Sequence, residues 1–369
     1  MNATTQLHEL GQSLWLDNIT RELLDSGTLD RYRKEFCITG LTSNPTIFDQ
    51  AIGRTDAYDA AIRQKVKDGK SGEALFFELA IEDLTRAAAL FRPTYDATGG
   101  VDGWVSLEVS PLLADDAAGT IDAAVRLHAS ARCPNLFIKI PGTPAGIRAI
   151  EEAIFAGVPV NVTLLFSREQ YVAAADAYWR GIQRRIDAGL DPKVNSVASI
   201  FVSRWDKAVA GKVPFALRNR LGIAIARRTY KAYRERFASA AWARFADAGA
   251  LPQRLLWAST GAKDPQISDT YYVEALAAPY TINTMPEKTL NAFAAHGELI
   301  GVMQEDGSDA ETTLDNFAKA GIDIVALADE LQREGAQSFK QSWQDLMNAI
   351  ETKSVQAGAS TDTKENGQP

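Results

Sequence analysis

A chain of 369 residues with 46% hydrophobic and 23% charged side chains has the composition of an ordinary soluble protein, with room for one large α/β barrel or two smaller domains. Its formal net charge of -8 argues against general nucleic-acid binding, which relies on basic surfaces. Two cysteines, Cys37 and Cys133, are too few for a disulfide framework and suit a reducing compartment. Residues 1–10 show no secretory signal and no run is long enough to span a membrane, so a cytoplasmic protein is expected.

Along the chain one theme repeats: a short apolar strand, a polar residue at its end, then a helical pattern. The first strand is Ser13-Leu14-Trp15-Leu16-Asp17. The second is Gly40-Leu41-Thr42-Ser43-Asn44, with Pro45 opening a helix, and the third is Trp104-Val105-Ser106-Leu107-Glu108. The fourth, Leu136-Phe137-Ile138-Lys139-Ile140, carries one lysine in an apolar run. It is followed by Pro141-Gly142-Thr143-Pro144, a turn with a good N-cap and a proline where a helix tolerates one. Burying an ammonium is costly, so a buried amine holds its proton less firmly, and an unprotonated amine can attack a carbonyl. The competing reading is an edge-strand lysine whose stem packs while its head reaches water.

The fifth strand covers residues 158–165 and closes on Ser167-Arg168-Glu169-Gln170, a capping-box pattern. Residues 197–202, 255–259 and 280–284 supply the sixth, seventh and eighth strands. Eight strands alternating with helices predict a (β/α)8 barrel. The spacing agrees: Lys139 to Asn161 is 22 residues and Ser259 to Asn283 is 24, each close to one βα unit. Asn44 to Glu108 spans 64 and Ser199 to Ser259 spans 60, leaving room for extra helices after strands two and six. A single barrel domain over residues 1–353 is therefore expected, with a helical insertion at about 206–250 and a flexible polar tail at 354–369.

Strand parity puts Ser106 with Glu108, Asn161 with Thr163, and Ser199 with Phe201 and Ser203. If the apolar positions meet the helices, then Asp17, Asn44, Glu108, Lys139, Asn161, Thr163 and Ser199 gather at one mouth, where barrel enzymes do chemistry. Each has a plainer role open to it: Asn44 and Ser203 as helix caps, Glu108 as an ion-pair partner. Residues 206–250 hold ten Lys or Arg and three acids. Tyr230, Tyr233, Phe237, Ala241 and Phe245 fall at helical spacing there, so an amphipathic helix packed on the barrel is expected, its basic face solvated or steering anions.

No G-x-x-x-x-G-K-[ST] loop or dinucleotide fingerprint is present, and Gly142-Thr143-Pro144-Ala145-Gly146 reads as a helix start. His8, His128 and His296 lie far apart, without metal-ligand spacing, and there is no G-x-S-x-G elbow. The chemistry these residues leave open is metal-free, with a lysine nucleophile and carboxylates carrying protons.

Three motifs resemble those of one family. Gly40-Leu41-Thr42-Ser43-Asn44-Pro45-Thr46-Ile47-Phe48 resembles the strand-two signature of the transaldolases, Asn161-Val162-Thr163-Leu164-Leu165-Phe166-Ser167 is similar to their strand-five motif, and Phe137-Ile138-Lys139-Ile140-Pro141 looks like their Schiff-base strand. The similarity runs from about residue 14 to 291, in the same order, and is closest to the longer bacterial members. It implies transfer of a dihydroxyacetone unit between sugar phosphates, without a cofactor or metal, in the pentose phosphate pathway. By that match Lys139 forms the Schiff base, Glu108 and Thr163 hold and activate a water, and Asp17 takes the C4 hydroxyl proton. Asn44 and Asn161 hold the three-carbon fragment, while Ser199 contacts substrate and Arg204 is placed to grip its phosphate. The chain departs from shorter members after strand seven, reading Ser259-Thr260-Gly261-Ala262-Lys263 where they carry an arginine, which leaves Lys263 as the replacement. Phe201, inward-facing and without a hydroxyl, is expected to favour transfer over release. The resemblance implies sugar-phosphate ligands; with the acidic charge and the lack of a membrane-length run, no nucleic-acid or membrane partner is expected, and a monomer or homodimer is. A class I aldolase releasing free dihydroxyacetone and a catalytically silent sugar-phosphate-binding barrel are the alternatives.

Overall fold

A computed structural model describes residues 2–365. Eight parallel strands form one sheet: β1 (Ser13–Asp17), β2 (Ile38–Thr42), β3 (Val105–Glu108), β4 (Leu136–Pro141), β5 (Val160–Leu165), β6 (Ser196–Phe201), β7 (Arg254–Ala258) and β8 (Ile282–Met285). The spatial order is β2-β1-β8-β7-β6-β5-β4-β3, and the Leu41 amide donates to the Trp104 carbonyl at 3.0 Å across the remaining seam. The result is a nearly closed (β/α)8 barrel, as the alternating pattern predicted. Every expected strand exists, with ends displaced by no more than two residues or so.

Parity sorts the side chains as expected. Leu14 and Leu16, Val105 and Leu107, Ile138 and Ile140, Val160 and Val162 join the shell between strands and helices. The inward set forms the barrel's own interior, with Trp15, Trp104, Phe137, Val197, Leu256 and Ile282 in one cluster. The Trp104 and Phe137 rings stack at 4.0 Å, and the Trp15 ring lies 6.2 Å from Phe137. Space for this aromatic layer comes from Gly40, where a Cβ would sit 2.5 Å from the Trp104 carbonyl oxygen and 2.8 Å from the Trp15 ring. Below the layer, Trp15 Nε1 donates to Asp102 at 2.9 Å, and Arg254 Nη2 donates to Ser13 Oγ at 2.7 Å. These bonds tie together the N-terminal end of the barrel beneath the aromatic layer.

Three helices, Pro45–Arg54, Asp59–Lys67 and Gly72–Ala97, fill the long connection from β2 to β3. Between β6 and β7 the basic stretch forms Leu221–Phe237 and Ala240–Asp247, two helices where the periodicity suggested one. The break falls at Ser239, which caps the second by accepting from the Trp242 amide at 3.2 Å. Tyr233, Phe237 and Trp242 keep the two in contact through edge-on rings. The last helix, Ile324–Glu365, crosses back over the barrel mouth and packs on Pro45–Arg54 and Asp59–Lys67. The segment from Ser354, expected as a tail, continues this helix to Glu365, and residues 366–369 lie outside the described residues. Cys37 and Cys133 form no disulfide. Among the described residues no helix is long and apolar enough to cross a membrane.

Candidate active site

Lys139 lies within β4, and because Ile138 and Ile140 on either side face the helices, the lysine faces the barrel axis. Register pairs it with Glu108 on one side and Asn161 on the other. Lys139 Nζ donates to Glu108 Oε2 at 3.1 Å and to the Ser43 carbonyl at 3.1 Å. The pair is buried, with 6% of each side chain exposed. Burial pushes the Glu108 carboxyl above its ordinary range, while the adjacent ammonium pulls it back. Glu108 is thus a carboxyl able both to hold and to give up a proton beside the amine.

A cavity of about 290 Å³ opens above this pair. Lys139, Asp17, Thr163, Asn44, Ser199 and Phe201 line it, as do Arg204, Ser259 and Lys263. Two expected site residues do not line it. Glu108 lies behind Lys139, and Asn161 is fully buried below, giving Nδ2–H to Ser106 Oγ at 3.1 Å and accepting from Ser199 Oγ at 2.7 Å. Asn161 therefore fixes the Ser199 hydroxyl, in addition to any contact a ligand makes with it.

Asp17 ends β1, and its Oδ1 accepts from Thr42 Oγ1 at 2.7 Å, which is itself 2.7 Å from Thr284 Oγ1. Burial raises the Asp17 carboxyl, and the nearby Lys139, Thr42 and Lys263 lower it by less. The Thr163 hydroxyl is buried without a protein partner, leaving it free to hold a small molecule at the mouth.

Asn44 does not end a strand. β2 stops at Thr42, and Asn44 caps the helix Pro45–Arg54, accepting from the Ile47 amide at 3.1 Å. The same side chain lines the cavity, so capping and ligand contact are compatible here. Ser203 likewise leaves the strand, lying in the helix Ser203–Val209 with its Oγ 3.0 Å from Ser259 Oγ. In the β5 motif, Ser167 caps as expected, but Gln170 accepts from the Phe166 amide, one residue earlier than in a standard capping box.

Arg204 follows β6 and packs its guanidinium carbon 5.1 Å from the Phe201 ring centre and 6.0 Å from that of Phe339. Lys263 lies on the β7 connection, and burial together with the charges of Arg204 and Lys207 holds its amine below the ordinary lysine range. Two cations gathered at one rim, neither in a salt bridge among the described residues, suit an anion.

The sequence did not point to Thr42, Thr284, Gln50 or Phe339, all of which line the cavity. Thr42 was accessible in principle, since it shares the inward parity of Gly40. Phe339 arrives from the last helix, and no local pattern ties it to strands that precede it by so many residues. Among the described residues no group of three or more His, Cys, Asp or Glu comes together to hold a metal.

The family model described as Transaldolase/Fructose-6-phosphate aldolase matches residues 14–350. The chain belongs to this family. It is 44% identical over 354 residues to the transaldolase of Thermobifida fusca (strain YX), covering 94% of this chain and 96% of that one. To the transaldolase of Arthrobacter sp. (strain FB24) it is 43% identical over 360 residues, 94% and 96% of the two chains. To that of Thiobacillus denitrificans it is 41% identical over 358 residues, 95% of this chain and all of that one. The family is enzymatic and its transaldolase members are transferases, so the chain is a transaldolase-family enzyme.

Proposed function

We propose that the enzyme moves a dihydroxyacetone unit from a ketose phosphate to an aldose phosphate through a Schiff base on Lys139. The pairs would be sedoheptulose 7-phosphate or fructose 6-phosphate with glyceraldehyde 3-phosphate or erythrose 4-phosphate. The observation that carries this reading is the position of Lys139, at the floor of a polar cavity and 3.1 Å from a buried carboxyl.

Proton transfer from the ammonium to Glu108 leaves a neutral amine facing the cavity. The amine adds to the C2 carbonyl of the ketose, and loss of water gives an iminium. Glu108 supplies and removes the protons for these steps through a water held by the unpartnered Thr163 hydroxyl. Asp17 takes the C4 hydroxyl proton, the C3–C4 bond breaks, and its electron pair flows into the iminium to give an enamine. A carboxyl raised by burial binds that proton well enough to return it when the acceptor aldehyde arrives. Asn44 and the Ser199 hydroxyl set by Asn161 hold the three-carbon fragment, while Arg204, Ser259 and Lys263 hold the phosphate.

A cytoplasmic location fits this reading, since two cysteines that form no disulfide suit a reducing compartment. The test is borohydride reduction in the presence of fructose 6-phosphate, followed by peptide mass mapping. A dihydroxyacetone-sized adduct on Lys139 is expected. An unmodified Lys139 in folded protein that binds the sugar phosphate would leave only a binding barrel.

A further inference from the structure

We propose that Phe339 is a positioning residue for the transfer reaction: its ring keeps the Arg204 guanidinium and the Lys139 amine at a fixed separation and shields the captured three-carbon unit from water. The proposal rests on the Schiff-base reading above.

Gln332, Gly335 and Phe339 are spaced by three and four residues, so they share one face of the helix Ile324–Glu365. That face meets the mouth at three levels. Gln332 Nε2 donates to the Gly142 carbonyl at 3.0 Å and the Leu164 carbonyl at 2.9 Å, tying the helix to the ends of β4 and β5. The Leu164 carbonyl is available because β5 bulges there, with Leu164 at φ 58° and the β5–β6 register shifting between Val162 and Leu165. Gly335 admits the guanidinium: a Cβ there would lie 3.2 Å from Arg204 Nη1 and 2.9 Å from the Leu164 side chain.

Phe339 then enters the cavity. Its ring centre is 5.6 Å from Lys139 Nζ and 6.0 Å from the Arg204 guanidinium carbon, and the residue is only 5% exposed. Arg204 forms no salt bridge among the described residues, and is held between the Phe201 and Phe339 rings. Aromatic faces position a guanidinium without using its N–H donors or neutralising its charge. A carboxylate would do both and compete with phosphate. One ring thus touches the group proposed to grip the phosphate and the group proposed to form the covalent bond.

The same placement bears on the fate of the enamine. Release requires the enamine carbon to take a proton and water to add to the resulting iminium carbon. The C–N bond then breaks, returning the amine and freeing dihydroxyacetone. A buried ring beside Lys139 Nζ occupies space from which that water would approach.

The experiment compares Phe339→Leu, Phe339→Tyr and Gly335→Ala for KM with fructose 6-phosphate and with fructose. It also measures the fraction of cleavage events that end in free dihydroxyacetone when an acceptor is present. Phe339→Leu is expected to raise KM for the phosphorylated ketose by about two- to thirtyfold, the range of a lost cation–π contact. KM for fructose should change less, and the released fraction should rise. Phe339→Tyr, which keeps the ring face, should restore both. Gly335→Ala should raise the phosphorylated KM by displacing the guanidinium, and it carries the test if the leucine variant does not fold. Borohydride labelling of Lys139 separates the two layers of the argument. Absence of labelling in the unaltered enzyme removes the Schiff-base reading. Labelling with an unchanged KM ratio and released fraction, whatever the loss of stability, overturns the role of Phe339 alone.

Discussion

Lys139 Nζ and Glu108 Oε2 lie 3.1 Å apart on adjacent strands, paired residue for residue in the β3–β4 register. A buried ion pair is weak evidence for stability, because desolvating both charges offsets most of their attraction. Its position at the floor of a polar cavity gives it a chemical use instead. Lys139→Ala should lower transfer by at least about a thousandfold, the scale expected when a covalent nucleophile is lost. The assay is coupled turnover with fructose 6-phosphate and an acceptor, with folding checked by circular dichroism. Retained turnover contradicts the mechanism.

Asp17 must be ionised to accept the C4 hydroxyl proton. Burial raises its carboxyl above the ordinary 3.8, so the active form is lost as pH falls through that raised value, earlier than for a free aspartate. Single-turnover cleavage followed against pH should therefore show an acid limb whose midpoint lies above 3.8. Asp17→Asn should still be trapped on Lys139 as the whole ketose, but cleave at least about a hundredfold more slowly. A midpoint at or below 3.8 would place the base elsewhere.

Arg204 and Lys263 divide the phosphate end unequally. Arg204 offers a fork of donors held by two rings, whereas Lys263 is a point charge on a loop. Arg204→Gln should raise KM for fructose 6-phosphate by roughly ten- to a hundredfold, and Lys263→Gln by less than about tenfold. The Lys263 effect should shrink as ionic strength rises, since it is the more exposed charge. Steady-state kinetics at two salt concentrations decide it, and equal losses for the two variants would refute the division.

Gly40 is set by what surrounds it. A methyl there would press on the Trp104 carbonyl oxygen and the Trp15 ring, both in the buried interior. Gly40→Ala should cost about 2–4 kcal/mol by overpacking. Chemical denaturation measures this directly, and a change below about 0.5 kcal/mol would mean that the interior can shift to make room.

Asp206 supplies a pH-dependent contribution. Its carboxylate accepts from the Leu221 amide at 2.9 Å, the Gly222 amide at 3.3 Å and the Tyr272 hydroxyl at 2.8 Å. Burial nevertheless outweighs these donors and pushes its pKa up to about 6. A group whose pKa is raised on folding binds its proton more tightly in the native state. That contribution is complete below the unfolded value of about 3.9 and is lost as pH rises through about 6. The stability difference between the unaltered enzyme and Asp206→Ala should therefore shrink by roughly 2 kcal/mol between pH 4 and 6. Titrations common to both proteins cancel in that difference. A constant or growing difference would show that the carboxylate is better solvated than its burial implies.

Much of this molecule was legible in its sequence because barrel strands carry period-two information. Parity alone sent Lys139, Glu108 and Asn161 inward, and register then fixed their neighbours. Asn44 was harder, because the residue after a strand end can cap the next helix and face the cavity at once. The single helix expected in the basic insertion failed at Ser239, a cap signal hidden inside continuous aromatic spacing. Phe339 was invisible for a different reason. Its helix has an ordinary amphipathic pattern, and only the three-dimensional path shows that one turn of it lies over the mouth.

The position of that helix in the chain has a consequence for how the enzyme is made. Synthesis runs from the N-terminus, and all eight strands precede residue 324. Every strand of the sheet is thus made before the residue that covers Lys139, while Trp343, Leu346 and Ile350 of the same helix are the last side chains to join the main core.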